Sequence, residues 1–478
     1  MIEDLGKFDA IVIGSGPAGQ KAAIHGARAG KRVLIVEQEL GVGGACVHRG
    51  TIPSKTLRET ALALTNFRRR TGNVFSLKLT EDLQVASLMT RMEQVIREHE
   101  RVIALHLGKD RVEQVHGRAR FLDPHVIEVN TVERKKYRAE ATNILIATGS
   151  RPRNPPELPV DHQNVLDSDS ILSMIYLPQS LLVLGSGVIA CEYASIFAAL
   201  GVRVIVLDKY EKPLGFLDGE IVERWLEGFE TMGGRFLGNR KIKSMEYDGL
   251  SQVVTTLESG MEVRTDKVLC AAGRIANVEG MNLAAAGLAA NAKCLIEVNE
   301  NLQTSVPHIY AVGDVIGPPS LASSSMDQGR RAMAHALGIP VGVPAELIPM
   351  GIYTIPEMSS VGLNEEQATK RYGGCIVGRA SFEDLARGQI ANITEGMLKL
   401  VADPEGKKLV GAQIFGEGAA ELIHLAQVAL VNGSDVDVFV DTTFNFPTLA
   451  EGYRSAALDI VWQRVEKTQP VTPSTLQA

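Results

Sequence analysis

Two segments of this 478-residue chain repeat one design, and that repetition constrains the fold more than any other feature. "FDAIVIGSGPAGQKAAIHGARAGKRVLIVE" (8–37) reads as a short apolar strand, a glycine turn, a helix and a second strand ending at Glu37. "SLLVLGSGVIACEYASIFAALGVRVIVLD" (180–208) does the same and ends at Asp208. In both, the closing acid lies 23 residues after the first glycine, 14 to 37 and 185 to 208. These are the physical parts of a dinucleotide-binding turn. Gly14 and Gly185 make the tight turn. Gly16 and Gly187 let the backbone approach a pyrophosphate, which then sits on a helix N-terminus. Gly19 keeps helix and strand close, a place taken by Ala190 in the second copy. Glu37 and Asp208 are placed to accept hydrogen bonds from a ribose. One such turn alone could be structural; two in register specify an α/β chain with two Rossmann-like domains.

The totals bound the rest. The chain is too long for one core and implies two to four domains. Hydrophobic content of 45% with 22% charge is ordinary for a globular protein. A net charge of −7 argues against nucleic acid or an anionic membrane as the main partner. Five cysteines (46, 191, 270, 294 and 375) form no CxxC and no paired spacing, so neither a disulfide scaffold nor a zinc site is indicated, and no metal is expected. The N-terminus runs straight into a strand, unlike a signal peptide, and the apolar stretch 181–196 is broken by Gly185, Gly187 and Glu192. A reducing cytoplasm is the expected home.

Between the repeats, Val85, Leu88, Met89, Met92, Val95 and Ile96 recur at helical spacing and predict a long amphipathic helix. Arg68, Arg69 and Arg70 read as a solvated helix end, with an anion patch as the alternative. "NILIATGSRPRNPP" is a buried strand leading to a proline-rich crossover, "DKVLCAAGRIAN" is a second strand-to-glycine junction, and "HIYAVGDV" is a short strand ending at Gly313-Asp314. These junctions predict a first nucleotide domain from 1–150 and 275–345, a second from 151–274, a C-terminal α+β domain from 346–465, and a mobile tail at 466–478.

These pieces, in this order, resemble the flavoprotein disulfide reductases, the group of glutathione reductase and dihydrolipoamide dehydrogenase, from about residue 8 to 463. The resemblance implies FAD on the first fingerprint, NAD(H) or NADP(H) on the second, and a C-terminal domain that pairs two subunits into a homodimer. Carried over by position, FAD would contact Gly14, Gly16, Gly19, Glu37, Gly43, Gly44, Cys46, Thr51, Lys55, Gly117, Ala147, Thr148, Gly149, Asp314 and Ala322. The nicotinamide nucleotide would contact Gly185, Gly187, Ile189, Glu192, Asp208, Lys209, Gly273 and Arg274. Lys55 would pair with Glu192 near the flavin N5.

Two departures decide the chemistry. In "GGACVHRGTIPSK" (43–55), disulfide reductases carry a second cysteine where this chain has Thr51. A threonine hydroxyl has no comparable redox couple, so Cys46 cannot form the internal disulfide. In "TTFNFPTLAEGYRSAAL", Phe446 stands where their proton-shuttling histidine stands, while Pro447, Thr448 and Glu451 remain. Disulfide reduction is excluded. What remains is similar to the soluble pyridine nucleotide transhydrogenases, which also keep one cysteine before "GTIPSK". "SDSILSM", "CEYASIF", "GDVIGPPSLAS" and "GIYTIPEMSSVG" match that subfamily too. The similarity implies a ping-pong hydride relay between NADPH and NAD⁺ through flavin N5, with Lys55, Glu192, Thr51 and Cys46 around the reacting centre.

One stretch pulls against this. In "VLDKYEKPLG" the acid Asp208 suits a free 2′-hydroxyl and repels a 2′-phosphate, by up to roughly 4 kcal/mol at 4 Å and an effective dielectric of 20. Lys209 and Lys212 are the cations nearby in sequence. An NADH-preferring NAD(P)H:quinone or dye reductase therefore stays open, as does a slow-turnover nucleotide-sensing flavoprotein. Among single residues, His48 could tune Cys46 or touch an acceptor. His335 and His424 read as satisfied core histidines, and Cys191, Cys270, Cys294 and Cys375 as small hydrophobes in or beside packed strands and helices.

Overall fold

The computed structural model describes residues 2–71, 85–340 and 347–468. They divide into two compact units: the described residues within Met1–Leu57, Gln84–Tyr176 and Ala272–Pro344 form the first, and those within Arg58–Leu83, Leu177–Ala271 and Ala345–Ala478 the second. The expected tail falls, from residue 469 on, outside the described residues.

The first unit is built on one sheet. Strands β1 (Ile2–Ile13), β2 (Val33–Glu37), β3 (Glu113–His116), β4 (Arg118–Asp123), β5 (Val126–Asn130) and β6 (Lys136–Ile146) lie in the order β3-β2-β1-β6-β5-β4, and strand Ile309–Ala311 also pairs with β6. The pairs β1–β2, β1–β6 and β6 with 309–311 are parallel. Side chains alternate across a strand, so β1 feeds two cores. Ile11 and Ile13 pack with Phe121, Ile127 and Ile144 on one face. Ala10 and Val12 pack with Ile35, Leu107 and Met333 on the other. Helices α1 (Pro17–Arg28) and Ala322–Ala336 pack on each other at a glycine, since a Cβ on Gly329 would lie 2.0 Å from the Ala18 carbonyl oxygen. The amphipathic segment is present as α3 (Val85–Lys109), with Met92 and Ile103 buried. Helix α2 (Thr51–Thr71) starts in this unit and continues into the residues of the second.

In the second unit, β7 (Ser180–Leu184), β8 (Arg203–Leu207), β9 (Arg235–Leu237) and β13 (Lys267–Cys270) run parallel in the order β9-β8-β7-β13. Helix α4 (Val188–Ala199) follows β7 and is buried from Ala190 to Ala199. Strands β10 (Ile242–Tyr247), β11 (Val253–Leu257) and β12 (Glu262–Thr265) form an antiparallel sheet between β9 and β13. The same unit holds an antiparallel sheet of β14 (Met350–Ile352), β15 (Met358–Gly362), β16 (Ile376–Ser381), β17 (Met397–Ala402) and β18 (Leu409–Phe415), ordered β14-β15-β18-β17-β16. Helices α6 (Ala419–Val431) and α7 (Glu451–Thr468) share its core through Ile423, Ala426, Tyr453 and Ile460. Helix α5 (Gly219–Thr231) is capped by Asp218. The fully buried Lys399 of β17 reaches that cap: its ammonium is 3.0 Å from Asp218, 3.1 Å from Glu220 and 2.7 Å from Glu365. These carboxylates hold the Lys399 ammonium above its ordinary range despite its burial.

The mixed α/β architecture with Rossmann-type sheets is as the sequence predicts, and several single-residue readings are corrected. His424 is exposed and bonds Gln427 at 2.9 Å, because α6 turns Ile423 rather than its neighbour inward. His335 is partly buried and satisfied, its Nδ1 2.9 Å from the Tyr310 hydroxyl. Cys191 and Cys270 are buried, whereas Cys294 sits in a turn with φ +61°. Arg69 and Arg70 are not merely solvated: both bond Glu417, at 2.7 and 2.9 Å. The side chain of Arg68 lies outside the described residues.

Candidate active site

The first turn is closed by contacts that only glycine permits. Gly14 has φ +105°, and a Cβ there would lie 2.3 Å from the Ala147 carbonyl oxygen; a Cβ on Gly19 would lie 1.8 Å from that of Gly14. Around this turn Glu37 is buried and fully engaged. Its Oε2 accepts from the Ser15 amide at 2.9 Å and the Ser15 hydroxyl at 2.6 Å, and its Oε1 accepts from the Glu39 amide at 3.0 Å. Ser15 Oγ in turn accepts from the Gly43 amide at 2.9 Å, which draws the 43–55 loop onto the turn. Gly44 lies against Gly16, and the Gly117 amide donates to the Glu37 carbonyl at 2.7 Å.

The loop continues as a helical turn, Gly44–His48, into α2. Thr51, the first residue of α2, stands beside Cys46. Burial pushes the Cys46 thiol up, and the Thr51 hydroxyl and the Lys55 ammonium pull the other way while Asp314 adds to the rise. His48 turns its Nε2 to the Val42 carbonyl, at 3.0 Å. Asp314 Oδ2 accepts from Ser150 Oγ at 2.6 Å, and Ser150 Oγ accepts from Arg274 Nε at 2.8 Å. Arg274, expected on the second nucleotide, thus makes its bonds inside the first unit, where Arg274–Ala276 pairs antiparallel with Ser150–Pro152. Gly273, just before it, has φ +105° and accepts from the Arg153 amide at 3.0 Å. The Thr148 and Gly149 carbonyls accept from Asn277, at 3.0 and 2.9 Å. Asp169 of "SDSILSM" joins this cluster: burial raises its carboxyl against the pull of Arg274 and Arg49.

The first unit fits a flavin dinucleotide on its own geometry. A side chain at Gly16 would meet nothing within 4 Å among the described residues, so the backbone there is open to a ligand at the start of α1, whose first turn has no side-chain cap and no acid. Thr148 Oγ1 and Ser324 Oγ are buried without a hydrogen-bond partner among the described residues. Ser324 lies in the first turn of the helix that Ala322 begins, so both polar atoms have capacity for a polar ligand.

The second turn repeats the first in outline. Gly185 has φ +99°, and Gly187 is open in the same way as Gly16 and caps α4, whose first turn holds Ile189. Asp208 accepts from the Ser186 hydroxyl at 2.7 Å and from the Tyr210 amide at 3.2 Å, and it is only partly buried. Lys209 lies 5.1 Å over the Tyr210 ring. Lys212, the other cation expected here, pairs with Glu223 at 2.8 Å. Sequence reasoning missed Arg240 and Lys241, which follow β9 and which the β8–β9 pairing brings beside Asp208; the Arg240 amide donates to the Asp208 carbonyl at 2.9 Å. Glu192 on α4 is buried and accepts from the Tyr353 amide at 2.9 Å. Next to it, Ser195 Oγ accepts from the Ile355 amide at 3.2 Å. Lys55 belongs to the first unit and Glu192 to the second. Phe446 is 73% exposed, so its ring fills no core; Thr448 and Glu451 beside it bond locally.

Comparison with known proteins gives a consistent picture. The family model for pyridine nucleotide-disulphide oxidoreductases matches residues 8–329, and that for their dimerisation domain matches 348–457. A protein of Mycobacterium tuberculosis named soluble pyridine nucleotide transhydrogenase is 44% identical over 456 residues, covering 95% of this chain and 97% of its own. One of the same name from Colwellia psychrerythraea is 40% identical over 464 residues, with the same coverage, 95% and 97%. Among solved structures, LpdA of Mycobacterium tuberculosis superimposes with a TM-score of 0.88 at 26% identity, over 94% of this chain and 99% of that one. The HOCl-induced flavoprotein disulfide reductase RclA of Escherichia coli gives 0.84 at 26% identity, again over 94% and 99%. No helix among the described residues is long and apolar enough to cross a membrane.

Proposed function

This chain belongs to the pyridine nucleotide-disulphide oxidoreductases, and from that premise we propose that it is an FAD-dependent soluble pyridine nucleotide transhydrogenase, moving hydride between NADPH and NAD⁺. The observation that carries this reading is the Thr51 hydroxyl beside Cys46, which draws its thiol down where a redox-active loop needs a second sulfur. Relatives 40–44% identical over 95% of the chain bear that name, which supports the reading.

When bound, FAD supplies a ring that takes a hydride from one nicotinamide and returns it to another. The chain's part is to hold and orient. Glu37 would accept from the adenosine ribose, the start of α1 would take the pyrophosphate, and Asp314, braced by Ser150 and Arg274, would fix the ribityl side. Lys55 would place positive charge by the reacting ring. Cys46, its thiol raised by burial, stays protonated at neutral pH and so acts as a packed neighbour. Gly185, Gly187 and Asp208 would hold each nicotinamide nucleotide in turn, with Glu192 holding the Tyr353 amide and Ser195 that of Ile355. The domains follow the boundaries stated above, the dimerisation domain pairs two copies, and the cytoplasm supplies both nucleotides.

The test is anaerobic. Holoenzyme reduced with NADPH is expected to be reoxidised by NAD⁺ at catalytic rates, and NADH-reduced enzyme by NADP⁺. A flavin that NADPH leaves oxidised, or that only a quinone reoxidises, overturns the reading.

A further inference from the structure

The acid that closes the second nucleotide turn has cations beside it that lie some thirty residues further along the chain. Parallel pairing of β8 and β9 brings the turn after β9 to the end of β8. Three backbone bonds fix it there: Asp208 N to Leu237 O at 3.2 Å, Asn239 N to Tyr210 O at 3.1 Å, and Arg240 N to Asp208 O at 2.9 Å. Asn239 turns the chain with φ +54°, and the Glu258 amide, donating to the Lys241 carbonyl at 2.9 Å, closes the far side. The result is a cleft of about 360 Å³ lined by Lys209, Asn239, Arg240, Lys241, Glu258 and Ser259.

Charge in this cleft is predominantly positive. None of Lys209, Arg240 and Lys241 makes an ion pair among the described residues, and Glu258 is the one acid in the lining. Lys212, nearer to Asp208 in sequence, is occupied by Glu223. The Asp208 carboxylate itself points its oxygens at Ser186 and Tyr210 N, which stabilise its charge locally.

We propose that this cleft seats the 2′-phosphate of NADPH and that Arg240 is the residue that sets the choice between phosphorylated and unphosphorylated nucleotide; the proposal rests on the reading that the second unit binds nicotinamide nucleotides. A ribose held at Asp208 carries its 2′-oxygen on the same rim that the Arg240 backbone shares. The planar guanidinium can take a phosphate dianion with two parallel N–H donors, which a lysine cannot. Lys209 and Lys241 add point charge, and Ser259 and Asn239 add neutral polar groups. One site can then serve both nucleotides: Asp208 takes a free 2′-hydroxyl, and the cation cleft offsets the repulsion when a phosphate replaces it.

Titration calorimetry of oxidised holoenzyme with 2′,5′-ADP and, separately, 5′-AMP tests this without turnover. Arg240→Ala is expected to weaken 2′,5′-ADP by about tenfold or more relative to 5′-AMP, Arg240→Lys to restore part of that ratio, and Lys241→Ala to move it in the same direction by less. In wild type, the advantage of 2′,5′-ADP over 5′-AMP should shrink as salt rises. An unchanged ratio in Arg240→Ala, or a wild type that binds no 2′,5′-ADP, overturns the inference. The functional reading fails separately, if NADPH-reduced wild type is not reoxidised by NAD⁺ while the ratio still responds to Arg240.

Discussion

The two nucleotide turns share a sequence frame and differ in how tightly each is shut. In both, the serine between the glycines donates its hydroxyl to the closing acid, at 2.6 Å for Ser15 to Glu37 and 2.7 Å for Ser186 to Asp208. Glu37 is then sealed in: it is 6% exposed, takes two further amide donors, and lies under the loop that Gly43 pins to Ser15. Asp208 takes one amide and borders an open cationic cleft. A closed turn suits a ligand kept through many turnovers, and an open one suits a ligand exchanged in each. The contrast also shows that one fingerprint can serve either purpose, because what covers the acid comes from elsewhere in the chain.

The sharpest break of this comparison is at the third position of each turn. Gly19→Ala places a methyl 1.8 Å from the Gly14 carbonyl oxygen, and is expected to cost more than about 3 kcal/mol, with loss of flavin on purification. The second copy already carries Ala190, fully buried, so Ala190→Gly should cost only about 1 kcal/mol. Denaturant melts and flavin content read both, and equal losses would show the two turns to be packed alike.

Next come the acids. Glu37→Ala leaves two amides and a buried hydroxyl without their acceptor, an expected cost of about 2–4 kcal/mol. Asp208→Ala should cost less than about 1.5 kcal/mol and act chiefly on nucleotide affinity. A larger thermal shift for Asp208→Ala would reverse the assignment of closed and open turns.

Smaller effects are expected at the loop that shuts the first turn. The Thr51 hydroxyl holds the Cys46 thiol down against burial, so Thr51→Val should raise it further and slow alkylation of Cys46 by iodoacetamide at pH 8. Alkylation needs the thiolate, whose share falls as the thiol rises, and equal or faster labelling counts against that influence of Thr51. Smallest of all, Thr51→Cys is expected to give no glutathione or lipoamide disulfide reductase activity, because Phe446 offers no proton-transfer group. Measurable turnover would show that the second sulfur alone was missing.

Much of this was legible in one dimension. Glycine spacing and the closing acids announce both turns, because the steric need for glycine is local. The spacing of Met92 likewise announces α3. What stayed hidden depends on strand pairing. Arg240 reaches Asp208 only because β9 lies beside β8, and Arg274 reaches Ser150 and Asp314 only because its short strand pairs with 150–152. The serine-to-acid bonds each span 22 residues within one strand-helix-strand unit and are not announced by the sequence, since the middle residue of the glycine turn is free to vary in the fingerprint. His424 was misplaced because α6 is apolar on most sides, which leaves its periodicity too weak to say which face turns inward.

Lys399 carries a consequence for how the second unit comes apart. Its ammonium joins the cap of α5, at Asp218, to a strand of the antiparallel sheet, and it is buried. Pulling either element away strands a charge in the interior, a penalty of about 3–5 kcal/mol that neither element can escape alone. Helix α5 and that sheet should therefore exchange their amide hydrogens in one shared opening event, as a single foldon, rather than fraying in succession.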